Sequence, residues 1–339
     1  MAARSGSPRR RPTLAEVAER AGVSMTAASR VINNAPHVSR AKRDAVEKAI
    51  RDLGYAPSRT AQALATRRNG VIALAVSGDD PALFADPFFA QVIVGISAAL
   101  EETELHLLLC LCSSGRAQAR FQGLLGTRAV DGVMLTALRG DDPLIRIAER
   151  AGLPTVYGGR PLHGEPEWYV DADNQGGARK ATDHLIGLGR TRIAAITGPA
   201  DTDVGLSRYR GYRDAMATAG LTPSAVEAGD FTAAGGAAAM AAILDAHADV
   251  DAVFVANDNM AAGALQLLRE RGRRVPDDVA VVGFDDLEIA LRTDPPLTTV
   301  HQPVRALGSE MARMLTALLS GQQPSPLILP TRLVVRGSA

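Results

Sequence analysis

Cysteine, aromatic side chains and long apolar runs are all scarce in this chain of 339 residues. The two cysteines, Cys110 and Cys112, lie at strand spacing in an apolar run, and a lone C-x-C without nearby histidines cannot complete a metal site. We therefore expect buried, reduced core thiols, no metal and no cofactor. The sequence has no stretch of about eighteen apolar residues and no apolar signal core after the basic residues 1–11. These absences predict a cytoplasmic protein that is neither exported nor inserted into a membrane.

The motifs of several enzyme classes are also missing from the sequence. It contains no phosphate-binding loop, no zinc-peptidase motif and no hydrolase nucleophile turn, which would read G-x-x-x-x-G-K, H-E-x-x-H and G-x-S-x-G. We therefore expect that the protein is not an enzyme.

The formal charge of the whole chain is zero, but the charge is unevenly distributed. Residues 1–70 carry 14 basic and 5 acidic side chains, a net charge of +9, so the remainder carries −9. A basic segment on an acidic body is typical of a module that binds a polyanion while its partner domain has another task. A solvated basic surface would give the same count, so charge alone does not decide.

Two short helices separated by a tight turn are predicted near the N-terminus. Thr13-Leu14-Ala15-Glu16 is a capping box, in which the threonine hydroxyl and the glutamate carboxylate satisfy free amides of the first turn. The first helix should run over 14–21, and Gly22 should supply a left-handed turn. Ser24 should then cap a second helix from Met25 to about Asn33. This spacing predicts a helix-turn-helix.

A third helix should follow Ser39 and end at Gly54. In a helix-turn-helix, the first residues of the second helix face base edges in the major groove, so Met25 and Thr26 are candidates for reading sequence. Arg30 could contact a base, or hold a phosphate without sequence preference, and Met25 could instead cover the small core. Helix N-termini bind phosphates, so Ser24 and Ser39 are phosphate candidates.

The segment after this head reads as a short helix that cannot stand alone. With eleven residues from Ser58 to Arg68 it is below the roughly 12 to 15 residues that isolated helices need in water, so it should fold only when something packs against it. A simple tether between two domains is the alternative.

The head resembles the LacI/GalR family of regulators. The residues that carry the resemblance stand in the family's order: Thr13-Leu14-Ala15-Glu16-Val17-Ala18, Ala21-Gly22-Val23-Ser24, Ser29-Arg30-Val31-Ile32-Asn33, Val38-Ser39 and Leu53-Gly54-Tyr55-Ala56-Pro57. The resemblance implies that the segment after the head is a hinge helix whose Leu64 wedges into the minor groove. It also implies a set of DNA-contacting residues: Thr13, Ser24, Met25, Thr26, Ser29, Arg30, Asn33, Ser39, Tyr55, Ala61, Leu64 and Ala65.

From residue 70 onward, apolar runs of strand length alternate with helical stretches. The runs are Val71 to Val76, Leu105 to Cys112, Gly132 to Thr136, Thr155 to Tyr157, Ile193 to Thr197, Ala252 to Ala256 and Val279 to Gly283. Continuously apolar strands are typical of parallel sheets covered on both faces, and so many strands exceed one compact sheet. The sequence therefore predicts an α/β body of two doubly wound parallel-sheet lobes.

Open parallel sheets bind ligands beyond the carboxyl ends of their strands. Polar residues gather at these ends, namely Asp173, Asn174, Arg208, Asn257, Asp258, Asp285 and Asp286. Carboxylates and an arginine around one mouth can hydrogen-bond vicinal hydroxyls, as sugar recognition requires. Several of them, such as Asn174, Asp258 and Asp285, could instead be helix caps. Phe88, Phe89, Phe231 and Trp168 could stack on a sugar face or fill the core.

The resemblance to the LacI/GalR family extends through the body and implies a two-lobed fold like that of periplasmic sugar-binding proteins. It rests on Asp86-Pro87-Phe88-Phe89, Val130-Asp131-Gly132-Val133, Asp173-Asn174, Gly198-Pro199, Arg208-Tyr209-Arg210-Gly211-Tyr212, Ala256-Asn257-Asp258, Val282-Gly283-Phe284-Asp285-Asp286 and Pro296-Leu297-Thr298-Thr299-Val300. Position by position it implies an effector pair, Arg208 and Asp285, surrounded by Phe88, Phe89, Asp173, Phe231, Asn257 and Gln302. Within the family, the sequence most resembles the cellobiose-responsive repressors of cellulose-utilisation genes.

These features predict a repressor that binds a palindromic operator as a homodimer and is released by a small sugar, with cellobiose as the expected effector. A palindrome demands two heads related by a two-fold axis. A regulator with a purine-type corepressor is the alternative. We expect a flexible basic tail (1–11), a DNA-binding head (12–57), a hinge helix (58–69) and an effector-binding and dimerisation body (70–339). The first lobe should comprise 70–170 and 302–326, and the second 171–301 and 327–339.

Overall fold

The computed structural model describes residues 12–32, 37–55, 68–77 and 87–339. Contacts within the chain divide it into two compact units, Met1–Gly70 and Val71–Ala339. Each unit is described separately below.

In the described residues of the first unit, three helices surround a small apolar core. They are α1 (Leu14–Ala21), α2 (Met25–Ile32) and α3 (Arg40–Leu53). Val17, Ala28 and Val46, one from each helix, are fully buried in this core. The predicted bounds of the first helix are confirmed, and the left-handed Gly22 (φ 65°) ends it as expected.

The part of the second unit that the structure describes forms two six-stranded sheets. Its elements, in chain order, are β1 (Val71–Val76), α4 (Pro87–Leu100), β2 (His106–Leu111), α5 (Gly115–Gly126), β3 (Gly132–Thr136), α6 (Pro143–Ala151), β4 (Thr155–Gly158), β5 (Tyr169–Ala172), α7 (Asn174–Gly187), β6 (Ile193–Thr197), α8 (Asp203–Thr218), β7 (Val226–Ala228), α9 (Ala233–Ala246), β8 (Ala252–Val255), α10 (Asp258–Glu270), β9 (Ala280–Asp285), α11 (Glu288–Arg292), β10 (Thr298–His301), α12 (Val304–Leu319), β11 (Leu327–Leu329) and β12 (Arg332–Val334).

Each sheet is the centre of one lobe. The first sheet has the order β11-β5-β4-β3-β1-β2 with all neighbours parallel, and the second has the order β12-β10-β9-β8-β6-β7 with only the β10–β12 pair antiparallel. Buried apolar clusters cover both faces of each sheet. This arrangement confirms the predicted pair of doubly wound parallel-sheet lobes.

The chain passes between the lobes later than the sequence suggested. The first crossing lies after Ala172, because β5 still pairs with β4 in the first sheet. The segment 327–339, which the sequence analysis assigns to the second lobe, contains two strands that belong to different lobes. β11 pairs with β5 in the first sheet, whereas β12 pairs with β10 in the second. The final crossing therefore lies between Leu329 and Arg332, where Pro330 lacks the amide hydrogen a continuous strand would use.

The first sheet ends in an exposed apolar edge. The side chains of Leu108, Leu109 and Leu111 in β2 are 37%, 36% and 42% exposed.

The two cysteines differ in burial. Cys110, in β2, is half-buried, which corrects the expectation that both cysteines lie in the core, while Cys112 is buried. Burial raises the pKa of Cys112 to about 12, so this thiol is protonated and unreactive near neutral pH. Both cysteines are free thiols.

Candidate functional sites: the helix-turn-helix head and the inter-lobe cleft

The first two helices begin with side-chain caps that the sequence predicts. The Thr13 amide donates to Glu16 Oε2 at 2.6 Å and the Glu16 amide donates to Thr13 Oγ1 at 3.3 Å, which completes the capping box. The Ala27 amide donates to Ser24 Oγ at 3.2 Å, so Ser24 caps α2. Three residues separate the two helices, and this fixes their crossing as a helix-turn-helix.

The start of α2 is presented to solvent. Met25 is 57% exposed, and Ser24, Thr26 and Arg30 are also exposed, while Ala28 and Val31 on the opposite side are buried. An exposed N-terminal turn of a second helix is the geometry that enters the major groove. Met25 is therefore a surface residue and does not cover the core of the head.

The other candidate DNA contacts fall into three groups. Thr13 and Ser39 are exposed, and Ser39 precedes α3 without a side-chain capping bond, so its hydroxyl is not committed to the helix. Ser29 is half-buried, and Tyr55 packs partly against the core of the head. Asn33, Ala61, Leu64 and Ala65 lie outside the described residues, as does most of the segment 58–69.

In the body, Arg208 of α8 is the centre of a buried polar cluster. Its guanidinium group donates from Nε to Asn174 Oδ1 at 2.9 Å and from Nη1 to the Ala256 carbonyl at 2.6 Å, and it pairs with Asp285 Oδ1 at 3.0 Å. The guanidinium carbon lies 3.7 Å from the centre of the Phe284 ring. Burial lowers the pKa of Arg208 and the Asp285 carboxylate opposes this shift. The fork of Arg208 thus joins three segments of the second lobe.

Asp285 lies at the carboxyl end of β9 in an unusual backbone conformation. Its φ is 115° and that of Asp286 is 59°, both in a region that side chains other than glycine seldom adopt. Gln302, the residue that follows β10, donates from Nε2 to Asp285 Oδ1, and the two atoms are 2.6 Å apart. The residue pair that the family resemblance implied, Arg208 and Asp285, is therefore in direct contact, with Gln302 beside it.

Asn257 extends the cluster toward Phe231. Its side chain caps α10 by accepting from the Met260 amide at 2.9 Å, and its Nδ2 donates to the Phe231 carbonyl at 3.1 Å. Phe231 has a φ of 69° and packs partly against the second lobe's core. Asn257 is therefore a helix cap. It lies next to the Arg208 cluster, because it directly follows Ala256, whose carbonyl accepts from Arg208.

Four other candidates lie apart from these contacts. Asp173 caps α7 through the Gly176 amide at 2.9 Å, and its carboxylate lies 3.9 Å from Lys180 Nζ. Phe88 and Phe89, in the first turn of α4, meet edge to face with ring centres 5.4 Å apart and pack partly against the first lobe's core. Trp168, just before β5, packs against the same core.

The structure adds polar residues that the sequence analysis did not place in the site. Asp171 of β5 accepts from Asn174 Nδ2 at 3.0 Å and from Arg160 Nε at 3.0 Å. Burial raises the pKa of Asp171 and the neighbouring Arg160 opposes this shift. In the sequence, Asp171 is marked only as a carboxylate inside the apolar run Tyr169-Val170-Asp171-Ala172. A strand at the edge of a sheet shows the same pattern, so the run alone does not identify a site residue.

Asp258 is a second carboxylate that the sequence left ambiguous. It is fully buried, and it accepts from Thr299 Oγ1 at 2.5 Å and from the Leu287 amide at 2.9 Å. Burial and the nearby Asp285 raise its pKa well above the ordinary value. Asp258 thereby anchors the segment that follows the unusual backbone of Asp285 and Asp286.

Two absences can be stated for the part of the chain that the structure describes. No group of three or more histidine, cysteine, aspartate or glutamate side chains there could hold a metal ion. No helix among these residues has the length and apolar character needed to cross a bilayer.

Family models match both units of the chain. Residues 13–58 match the model described as bacterial regulatory proteins of the lacI family, and residues 182–339 match a periplasmic binding protein-like domain. The HTH-type transcriptional regulator CelR of Thermobifida fusca is 49% identical over 97% of this chain and 99% of that protein. The ribose operon repressor of Escherichia coli (strain K12) is 37% identical over 96% of this chain and 99% of that protein.

Solved structures match over the same length. A transcriptional regulator CelR–cellobiose complex superposes with a TM-score of 0.78 at 46% sequence identity, covering 97% of this chain and 100% of that one. A Lac repressor dimer bound to operator and the anti-inducer ONPF superposes with a TM-score of 0.83 at 30% identity, covering 97% of this chain and 99% of that one.

A helix-turn-helix head followed by a two-lobed body with a buried polar cluster defines a DNA-binding transcription regulator rather than an enzyme. With the identity and coverage above, the particular family follows directly. The chain belongs to the lacI family of bacterial regulatory proteins.

Proposed function

We propose that this regulator is a repressor that binds a palindromic operator as a homodimer and is released from it by cellobiose or a related cello-oligosaccharide. The observation that carries the proposal is the buried Arg208–Asp285 pair at the carboxyl end of β9, because an arginine fork and fixed carboxylates match the vicinal hydroxyls of a sugar. The CelR–cellobiose complex, 46% identical and similar over the full length, supports cellobiose as the particular sugar.

The division of labour along the chain is part of the same proposal. Residues 12–57 read the operator after a basic tail (1–11), residues 58–69 form a hinge helix that folds against DNA, and residues 70–339 bind the effector and dimerise. Leu64 is the residue that wedges into the minor groove. A regulator that binds operator DNA in this way works in the cytoplasm on the nucleoid.

The exposed apolar edge of the first lobe supports the homodimer. Leu109 and Leu111 of β2 adjoin Phe89 and Ile93 of α4 in a shallow apolar groove, and Val94 of α4 is 48% exposed. Contiguous apolar surface of this kind is typical of interfaces. The Lac repressor neighbour is a dimer on its operator, and two-fold pairing of heads suits a palindrome.

The decisive experiment couples operator binding to sugar binding. A fluorescent operator, selected from random duplexes with the full-length protein, is titrated by anisotropy at fixed salt without a small molecule and with cellobiose, cellotriose, glucose, ribose or guanine. We expect cellobiose to weaken operator affinity at least tenfold and, by linkage, the operator to weaken cellobiose binding by the same factor. Operator affinity unaffected by every sugar would reject the proposal, and tightening by guanine would indicate a corepressor instead.

A further inference from the structure

The turn that follows β9 is held from outside the Arg208 cluster. Asp285 and Asp286 have positive φ values of 115° and 59°, and such backbone persists only where surrounding contacts enforce it. The Asp286 carboxylate is the point of attachment. Its Oδ1 accepts from Arg336 Nη2 at 2.5 Å, and its Oδ2 lies 3.0 Å from His301 Nδ1. Arg336 and Asp286 are 16% and 14% exposed, so this ion pair is little screened by solvent.

Arg336 is itself fixed to the neighbouring strands. It follows β12, which pairs antiparallel with β10. Its amide donates to Thr298 Oγ1 at 2.8 Å, and its Nη1 donates to the Leu297 carbonyl at 2.8 Å. Two residues further on, Ser338 Oγ accepts from the Thr298 amide at 2.8 Å and donates to the Val281 carbonyl at 2.6 Å. The segment that carries Arg336 is therefore bound to β9 and β10, the two strands that lead to the buried polar cluster.

The turn decides where the Asp285 carboxylate points. Asp285 Oδ1 lies 3.0 Å from Arg208 Nη1, and Gln302 Nε2 donates to the same oxygen. A residue with a side chain prefers a negative φ, so without a hold the backbone of Asp286 would relax and rotate the peptide that follows Asp285. Among the described residues, no hydrogen bond joins Arg336 to Arg208 or Gln302, so Arg336 acts on the cluster through Asp286.

We propose that Arg336 is a positioning residue of the effector site, which holds Asp286 in the left-handed conformation that aims the Asp285 carboxylate at Arg208 and at a sugar hydroxyl. The inference rests on the proposed function in that the ligand is a sugar. It adds that the segment after β12 sets the direction of this carboxylate. Asp285 is thereby oriented before the ligand arrives, which lowers the free-energy cost of binding.

Two substitutions of Asp286 separate the backbone conformation from the ion pair. Asp286→Ala and Asp286→Gly both remove the carboxylate that Arg336 holds, but only glycine adopts a φ near +60° without a steric cost. In Asp286→Ala the turn should relax, and sugar binding must then restore it. In Asp286→Gly the turn remains accessible, so the comparison of the two variants measures the contribution of the left-handed backbone to sugar affinity.

Calorimetric titration of the full-length protein with cellobiose tests the inference. We expect Arg336→Gln and Asp286→Ala each to raise the cellobiose Kd about tenfold, and Asp286→Gly to stay within threefold of the wild type. The double variant Asp286→Gly with Arg336→Gln should also stay within threefold, because a glycine at this position no longer needs the hold.

An exposed ion pair directly after the same turn supplies the matched control. Arg292 pairs with Glu288 in α11, and both side chains are mostly exposed, at 73% and 70%. Arg292→Gln therefore removes an arginine–carboxylate pair from this segment without touching Asp286. It should change the cellobiose Kd less than twofold.

Thermal unfolding without sugar distinguishes positioning from a merely structural contact. A structural contact would lower the Tm of Arg336→Gln and Asp286→Ala and leave their Kd as in the wild type, which overturns the inference and leaves the proposed function intact. Equal Kd values for Asp286→Ala and Asp286→Gly overturn it as well, and this comparison decides if Arg336→Gln does not fold.

The operator titration separates the inference from the proposed function. If the cellobiose Kd depends on Arg336 and Asp286 as expected but cellobiose does not weaken operator affinity, the inference stands and the proposed function falls. If none of cellobiose, cellotriose, glucose and ribose binds the wild type, both are overturned.

Discussion

Arg208 organises the buried polar cluster through the planar shape of its guanidinium group as much as through its charge. It holds Asn174, Asp285 and the Ala256 carbonyl with one planar fork, which a lysine ammonium cannot reproduce. Removal of the whole charge would take the cation away from the buried Asp285 carboxylate, to which the Gln302 amide still donates, and cost about 3 to 5 kcal/mol. A charge-preserving variant is therefore the cleaner probe.

Arg208→Lys should therefore lock repression. We expect the Kd for cellobiose to rise at least a hundredfold while operator affinity without sugar stays within twofold, because the head is untouched. Arg213→Lys, on an exposed turn of the same helix, is the control and should bind cellobiose as the wild type does. Calorimetry and operator anisotropy measure the two affinities, and normal cellobiose binding by Arg208→Lys would contradict the role of the fork.

Asp258 gives a pH dependence whose sign follows from its raised pKa. Between the ordinary aspartate pKa and the raised value, the folded state holds a proton that the unfolded state has lost. The unfolding free energy therefore falls as pH rises through this window. Asp258→Asn removes the titration and can still accept from the Leu287 amide, so its stability relative to wild type should increase as pH rises from about 4.5 to 8.5.

Urea unfolding across this pH range measures the effect. Asp278→Asn is the control, because the Arg274 side chain lowers the pKa of Asp278 to about 2 and places its titration below the range. Asp258→Ala leaves two buried donors without an acceptor and should be about 1 to 3 kcal/mol less stable than Asp258→Asn at every pH, because neither variant titrates at this position. A pH-independent difference between Asp258→Asn and wild type would refute the assignment.

The sequence identified the residue types of the cleft better than their positions. Asp173 and Asn174 are adjacent polar residues after a strand, and either could have faced the site. Asp173 became the N-cap of α7, so Asn174 took the first helical position and turned toward Arg208. Which of two neighbours caps depends on where β5 ends and α7 starts, and a shift of one residue exchanges their directions.

At the scale of elements, α8 must lie close to α7 for Arg208 to reach Asn174. A Cβ atom on Gly211 of α8 would lie 2.1 Å from the Gln175 carbonyl oxygen, so only glycine permits this approach. Gly211 follows Arg208 by about one turn on the same helix. The packing of two helices therefore sets the position of the cleft arginine.

Gly211→Ala should lower both stability and cellobiose affinity. The added methyl group forces the helices apart, which we expect to cost about 1 to 3 kcal/mol and to weaken cellobiose binding at least tenfold. Gly123→Ala in α5 is the control, because its Cβ would meet nothing within 4 Å and the site is exposed. Helix propensity should make that variant about 0.5 to 1 kcal/mol more stable, with unchanged affinity. Urea unfolding and calorimetry test both expectations.

Elements with strong local signals were predictable, and those defined by distant partners were not. The capping box and Gly22 set both ends of α1 within eight residues. The three-residue strands β11 and β12 are separated by two residues, yet they belong to different sheets. Their assignment depends on pairing with β5 and β10, more than thirty residues away in sequence, and an apolar run carries no information about its partner.

For the whole molecule, a strongly basic head and an acidic body separate two tasks that must nevertheless communicate. The +9 charge of residues 1–70 favours any duplex, so discrimination between sequences requires two heads in register. Pairing of bodies therefore sets operator affinity, and the exposed apolar edge of the first lobe is the surface that pairs under the proposed function.

Leu109→Lys should consequently abolish specific operator binding without touching the cleft. A lysine in the apolar surface of β2 disfavours its burial against a second copy, so we expect a monomer by sedimentation velocity and at least a hundredfold loss of operator affinity, with cellobiose affinity within threefold of wild type. Leu188→Lys is the matched control, because Leu188 is 50% exposed in the second lobe at the end of α7, where a cation is tolerated. It should remain dimeric and bind operator normally. A Leu109→Lys protein that stays dimeric would place the pairing surface elsewhere, and a monomer with full operator affinity would separate dimerisation from DNA recognition.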